Sequence, residues 1–129
     1  MSYHSTSKWA TLVMHVNGTL SVADSVASCV MPFDGYIERV ALCVQENGSG
    51  SAANEAMVAN GSNNLWAANA LQLAHDATNG STTTITRSDL NSSGTALFSE
   101  AAVFDLDIDE VAGSGSPANA TVTIHVVGN

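Results

Sequence analysis

The stretch Phe98-Ser-Glu-Ala-Ala-Val-Phe-Asp-Leu-Asp-Ile-Asp-Glu-Val111 and the later run Ala120-Thr-Val-Thr-Ile-His-Val-Val127 decide the fold class of this chain. Both runs alternate apolar and polar side chains, and this period of two indicates a strand with one buried and one solvated face. The residues between them are rich in Gly and Ser and include a proline, which is typical of a turn. The two runs are therefore predicted to pair as an antiparallel β-hairpin, which makes the chain all-β.

Strand patterns recur along the rest of the chain, separated by Asn-Gly, Asp-Gly and Gly/Ser turns. The clearest are residues 9–16, 20–31, 36–45 and 82–86. Seven or eight short strands at this spacing predict an antiparallel β-sandwich of jelly-roll-like type. The predicted organisation is an N-terminal arm, residues 1–8, followed by a single domain, residues 9–129.

The segment 52–77 admits two interpretations. A helix that begins at Leu65 would place Trp66, Ala70, Leu73 and Ala77 on one face, and the Ala and Leu content of 65–76 favours that state. Two short strands at 55–59 and 70–74, joined through the Asn60-Gly61 turn, account for the residues equally well. Because strands of a sandwich need partners, the β interpretation is favoured in an otherwise β chain, while helix or strand for 64–77 stays open.

The charge balance argues against two kinds of partner. The 129-residue chain has 12 Asp and Glu against 3 Lys and Arg, a net charge of −9. Nucleic-acid binding needs Lys and Arg to neutralise phosphates, and anionic membranes attract basic segments, so neither partner is expected. No apolar run approaches the roughly 20 residues of a membrane span, and no signal peptide is visible, which predicts synthesis in a cytoplasm.

Cys29 and Cys43 are predicted to remain free thiols. If residues 33–36 form a two-residue hairpin turn, the two cysteines are out of step by more than a disulfide tolerates. Reduced thiols are also usual in a cytoplasm. Six Asn-x-Ser/Thr sequences are interpreted as turn chemistry rather than glycosylation sites, because no secretory signal accompanies them. They begin at Asn17, Asn47, Asn60, Asn79, Asn91 and Asn119.

No constellation of residues predicts an enzyme: the predicted catalytic, cofactor-binding and metal residues are none, and no cofactor is expected. The serines lack a Gly-x-Ser-x-Gly elbow and a placed base. Asp105, Asp107 and Asp109 alternate along one strand face, where successive carboxylates lie about 6.5–7 Å apart and do not converge on one ion. They are interpreted as a solvated or interfacial face, with a Ca²⁺ site at a subunit interface as the alternative.

The histidines and tryptophans are candidates for surface contacts. The four histidines show no metal-ligand spacing, although His15 and His125 could lie on neighbouring strands. The set is His4, His15, His75 and His125. Trp66 is predicted to pack in the core, whereas core and interface are equally open for Trp9. The arm is interpreted either as disordered or as an extended segment lying along a neighbouring subunit.

Three elements of the sequence resemble a known class of protein. They are Val30-Met-Pro-Phe-Asp-Gly-Tyr-Ile-Glu-Arg-Val40, Met57-Val-Ala-Asn-Gly-Ser-Asn-Asn-Leu-Trp66 and Phe104-Asp-Leu-Asp-Ile-Asp-Glu-Val-Ala-Gly-Ser-Gly115. In this order they resemble the β-sandwich proteins that tailed phages place on the capsid exterior, called decoration, cement or head-fibre proteins.

This resemblance implies a non-enzymatic virion protein that forms trimers and reinforces contacts between capsomers. Its implied partners are the major capsid protein and further copies of itself, and its implied location is the outside of the capsid, after synthesis in the host cytoplasm. The alternative is a receptor- or carbohydrate-binding β-sandwich module of a phage fibre, which would share the fold and the Asn/Ser/Thr-rich loops.

Overall fold

The computed structural model of the chain describes residues 8–129. Of the predicted arm only Lys8 lies in this range, and residues 1–7 lie outside the described residues. The described part forms nine strands and two single helical turns. The strands are β1 (Trp9–Thr19), β2 (Ala23–Val30), β3 (Gly35–Glu46), β4 (Asn54–Asn60), β5 (Asn63–Asn64), β6 (Gln72–Leu73), β7 (Thr82–Thr86), β8 (Val103–Glu110) and β9 (Ala118–Gly128). The turns are a 3-10 turn (Arg87–Asp89) and α1 (Ser92–Thr95).

Two antiparallel sheets form a sandwich. Sheet A has the strand order β1-β9-β3-β7, and sheet B has the order β2-β8-β4-β5, with β6 also pairing with β4. The long strands alternate between the sheets, and neighbours within a sheet come from opposite ends of the chain, as when β1 pairs with β9 and β2 with β8. The predicted all-β antiparallel sandwich is confirmed, whereas its jelly-roll-like type stays a prediction.

The core lies between the sheets and is filled by their inward-facing apolar residues. Phe104, Leu106 and Ile108 of β8 are buried, and so are the inward residues of β9, as the alternation predicts. Trp66 is only 1% exposed and confirms its predicted place in the core. Burying a side chain of this kind contributes roughly 1.5–3 kcal/mol, so the inner faces of the two sheets account for most of the hydrophobic stabilisation.

The predicted hairpin between the last two strands is wrong, although both strands exist. β8 pairs with β2 and β4 in sheet B, whereas β9 pairs with β1 and β3 in sheet A. The Gly/Ser-rich loop 111–117 therefore crosses from one sheet to the other. Both strands bury one face, and each can do so only against the opposite sheet, so the inner faces meet each other across the core instead of lying in one plane.

Residues 33–36 make a similar crossing, so the conditional hairpin there is also wrong. β2 belongs to sheet B and β3 to sheet A, and Gly35 forms a bridge with Phe98 at the crossing. The open choice for 52–77 is resolved in favour of β structure. β4 turns back through Gly61, which has a positive φ, into β5, and β6 then pairs with the other end of β4.

Candidate functional site

The outer face of sheet A, called the A face below, is formed by alternate residues of β1, β9, β3 and β7. Strand register places Thr11 beside His125, His125 beside Arg39, and Arg39 beside Thr86 in one row across the sheet. Parallel rows complete the face with Trp9, Val13, His15, Tyr36, Ala41, Cys43, Thr82, Thr84, Thr121, Thr123 and Val127. The A face is thus built largely from threonine and apolar side chains.

A groove of about 450 Å³ opens on the A face around His125. The His125 Nε2 atom lies 3.3 Å from Oε2 of Glu38, and Nδ1 lies 3.3 Å from Oγ1 of Thr11. The ring of Trp9 stands 5.7 Å from the imidazole, at an angle of 33°. The imidazole is therefore held on three sides. The groove is lined by Lys8, Trp9, Thr11, Glu38, Arg39, His125 and Val127.

Two large apolar side chains of β1 project from the A face into solvent. Trp9 is 65% exposed and Val13 is 58% exposed, which excludes Trp9 from the core. His15 lies on the same face and its Nδ1 atom is 2.8 Å from Oγ1 of Thr121 on β9. The prediction that His15 and His125 lie on neighbouring strands is confirmed, since β1 pairs with β9. Each histidine contacts a threonine on the other strand.

The A face is nearly free of carboxylates. β1, β7 and β9 contain no Asp or Glu. On β3 the groove includes Glu38, whose carboxylate faces His125. Sequence reasoning did not identify this face, although the missing acids in three strand segments were visible in the sequence. What it lacked was the pairing that brings those segments into one sheet.

One end of the outer face of sheet B, unlike the A face, is rich in carboxylates. The carboxylate oxygens of Asp24, Asp107 and Asp109 all lie within 4.8 Å of one another. Asp107 accepts a hydrogen bond from the backbone N–H of Ser25 at 2.8 Å. Asp24 belongs to β2 and joins the cluster because β2 bulges beside β8, where the register shifts. Of the three aspartates singled out from the sequence, Asp107 and Asp109 lie in this cluster, whose third member is Asp24 rather than Asp105.

Crowding affects the acid–base behaviour of this cluster. Partial burial raises the pKa of Asp109, and the nearby carboxylates of Glu55, Asp107 and Asp24 raise it further. Glu55 is itself buried and accepts a hydrogen bond from the backbone N–H of Asn69. Such oxygens suit hard cations such as Ca²⁺, so the solvated-face and Ca²⁺ interpretations both stay predictions.

The two cysteines are free, and they lie in different sheets. Cys43 is on the A face, where its thiol points to the Gly80 carbonyl at 3.6 Å. Cys29 packs against the core, and burial, with a smaller effect of Asp105, raises its pKa to about 11. A thiol with that pKa carries little thiolate near neutral pH and is a poor nucleophile.

The remaining sequence candidates are distributed over the surface. His75 is exposed in the loop after β6, and His4 lies outside the described residues. Among the sequon asparagines, Asn47 is 0% exposed and could not receive a glycan in the folded chain. None of the helical turns within residues 8–129 is long or apolar enough to cross a membrane.

Comparison with known proteins adds information on the fold. No family model matches the sequence, and no curated protein matches it. A chain in the solved structure described as "Cyanophage Pam1 capsid asymmetric unit" is similar in fold, with a TM-score of 0.53 and 14% sequence identity. The similarity covers 100% of this chain and 91% of that chain. Over its whole length the chain therefore shares an architecture with a component of a phage capsid shell.

Proposed function

We propose that this chain is a structural, non-enzymatic protein of a phage virion, which binds the outside of the capsid and reinforces contacts between capsomers as a trimer. The observation that carries the proposal is the fold similarity over the full chain to a chain of a cyanophage capsid asymmetric unit. Because nearly all of both chains is covered, the similarity concerns the whole sandwich rather than a shared supersecondary motif. Its partners would be the major capsid protein and two further copies of itself.

The surface suits such a role. A reinforcing protein needs one face that contacts its neighbours and another that stays in solvent. The A face is rich in threonine and apolar groups, whereas the outer face of sheet B carries the cluster of Asp24, Asp107 and Asp109. A net charge of −9 would keep decorated particles apart in solution and gives no attraction for nucleic acid or anionic membranes. Closed three-fold symmetry would let one small chain bridge several capsomers.

The test uses virions of the phage that encodes the chain. Quantitative mass spectrometry of purified virions should find the chain in hundreds of copies per particle, and electron microscopy should locate it on the capsid. Light scattering after size exclusion should give about three times 13.2 kDa for the isolated protein, or for the protein released from particles. Absence from purified virions would refute the proposal, and a monomer in both states would refute the trimer alone.

A carbohydrate-binding module of a phage fibre is the second candidate. The exposed Trp9 beside His125 and Arg39 favours it, because aromatic rings next to polar groups can stack on sugars. Copy number separates the two candidates, since a fibre tip is present in few copies per virion. A screen against a glycan array with Trp9→Ala as the control would show binding that depends on the ring if the second candidate is right.

A further inference from the structure

The distribution of charge on the sandwich is uneven in a way that points to a contact surface. Twelve acidic residues are spread along the chain, yet three of the four strands of sheet A contain none of them. The centre of a protein interface is depleted in charged residues, because each buried charge must be desolvated. A face with Glu38 as its one described carboxylate, on a chain of net charge −9, is therefore suited to burial against another protein.

The A face also has the side chains that anchor an interface. Trp9 exposes 65% of its surface and Val13 58%, both on β1 and both directed away from the core. Tryptophan is enriched among the residues that contribute most binding energy when they enter a pocket of the partner. Thr11, between them on the same face, is a compact polar neighbour without charge.

The few basic residues of the chain indicate the sign of the charge that the partner should carry. Arg87 is used internally: its guanidinium donates to the carbonyls of Ile37 and Thr95 at 3.0 and 2.5 Å and lies 4.7 Å from the Tyr36 ring centroid. Arg87 thus joins the 3-10 turn to β3, and its charge is used within the fold rather than in a contact with a partner.

The other two basic residues, Lys8 and Arg39, both line the groove beside Trp9. Within residues 8–129 the contact between His125 and Glu38 is the only one at salt-bridge distance, so neither Lys8 nor Arg39 has a carboxylate within 4.0 Å there. Residues 1–7 contain no Asp or Glu that could do so. All of the uncommitted Lys and Arg charge of a strongly acidic chain is thus concentrated around one exposed tryptophan.

We propose that the A face is the surface by which this chain docks on a protein partner, and that the partner presents an apolar pocket for Trp9 bordered by carboxylates that meet Lys8 and Arg39. This inference rests on the proposed function, in which the partner is a capsid subunit. It assigns the two faces of the sandwich: the A face is turned to the capsid and the acidic end of sheet B to solvent. A partner with carboxylates at its contact site would be repelled by Asp24, Asp107 and Asp109.

The experiment measures binding of purified variants to capsids of the same phage from which the chain has been removed. Trp9→Ala should weaken binding by about 30-fold or more, as truncation of an interface anchor does. The matched control is Val22→Ala, which truncates a side chain of similar exposure in the bend just before β2. Thermal unfolding of each variant verifies that the fold is retained.

The electrostatic part has its own matched pair. Arg39→Gln and Ser62→Asp each make the net charge more negative by one, but Ser62 lies in the β4–β5 turn of sheet B. Arg39→Gln should weaken binding several-fold at low salt and make it less sensitive to salt, because a carboxylate contact has been lost. Ser62→Asp should leave both the affinity and its salt dependence unchanged.

Each other outcome contradicts the inference in a recognisable way. If the wild type does not bind capsids at all, the proposed function fails together with the inference. If the wild type binds and Trp9→Ala binds equally well, only the assignment of the A face is wrong. If Trp9→Ala instead dissociates a trimer formed without capsids, the occupant of the A face is a second copy. Binding to acidic glycans that Trp9→Ala abolishes, with capsid binding intact, would make the groove a sugar site.

Discussion

The side-chain amide of Asn54 donates to both the backbone carbonyl and the side-chain carbonyl of Asn47, at 2.8 and 2.9 Å, and both residues are buried. The side-chain carbonyl of Asn54 accepts a hydrogen bond from the backbone N–H of Ala112 at 2.8 Å. The side-chain amide of Asn47 donates to the backbone carbonyl of Ala74 at 2.8 Å. Two asparagines therefore join the loop after β3, the loop after β6 and the crossing from β8 to β9. Each group in this network has a partner, which is what allows it to be buried.

Replacing Asn54 with Ala should be strongly destabilising. It leaves the Ala112 N–H and the Asn47 carbonyl groups without partners in the interior, and one such unsatisfied group costs roughly 1–3 kcal/mol. We expect the free energy of unfolding to fall by about 3 kcal/mol, measured by urea denaturation. Asn63→Ala, at an exposed position of β5, is the control and should change it by less than about 0.5 kcal/mol. Equal midpoints for the two variants would show that the network adds nothing.

Gly35→Ala should also destabilise the fold, for a steric reason. A Cβ atom at Gly35 would overlap the backbone carbonyl oxygen of Val127, where the crossing from β2 to β3 meets the end of β9. Because backbone rather than a flexible side chain is in the way, we expect a loss of about 2–3 kcal/mol in chemical unfolding. Gly113→Ala provides the contrast, since a Cβ there meets nothing within 4 Å and φ is not positive. It should be neutral or slightly stabilising, and similar losses in both variants would contradict the steric argument.

The strands were predictable because their evidence is local, whereas their partners were not. The alternation of Phe104, Leu106 and Ile108 with aspartates fixes a strand and its buried face regardless of the neighbour. A Gly/Ser turn between two alternating runs is equally compatible with a hairpin and with a crossing between sheets. Which one forms depends on packing between residues far apart in sequence, such as β1 against β9. The Asp34-Gly35 turn is ambiguous in the same way, since it is also compatible with a hairpin or with a crossing.

Because strand partners could not be predicted, the candidate site could not be predicted either. Alternation places Trp9 on a face of β1, but only the sheet order shows that this face is the outer one and that His125 and Arg39 lie beside it. Likewise, Asp24 reaches Asp107 only through the bulge in β2. The sequence did carry one usable signal, the absence of acids from 9–19, 82–86 and 118–128. Joining these segments into one face required the structure.

Cys29 should react slowly with thiol reagents in the folded protein. Its pKa is raised to about 11, chiefly by burial and further by Asp105, so at pH 8 roughly one molecule in a thousand carries the thiolate. In a Cys43→Ser variant, labelling of Cys29 by Ellman's reagent at pH 8 should be about 100-fold slower than after unfolding in urea, where an ordinary thiol pKa of about 8.5 applies. Rapid labelling of the native variant, with nearly one equivalent of reagent consumed in the initial phase, would contradict this prediction.

Asp109 should make the protein less stable at neutral pH than near pH 4. Its pKa is raised in the folded state by burial and by Glu55, Asp107 and Asp24, so the folded state binds this proton more readily than the unfolded state. The penalty is fully present above the folded pKa, shrinks as the pH falls through it, and is absent below the ordinary Asp pKa of about 3.9. Asp109→Asn should therefore raise Tm by about 2–4 °C at pH 7 and low salt, because it removes like-charge repulsion.

The difference between Asp109→Asn and wild type should shrink toward zero at pH 3.5 and diminish in high salt, since the cluster is partly exposed and its repulsion is screened. Asp76→Asn, at an exposed loop position, serves as the control for removing one negative charge and should leave Tm within about 1 °C at both pH values. A Tm gain for Asp109→Asn that is the same at pH 7 and pH 3.5 would show that the gain comes from altered packing. It would then not come from the carboxylates that crowd this end of sheet B.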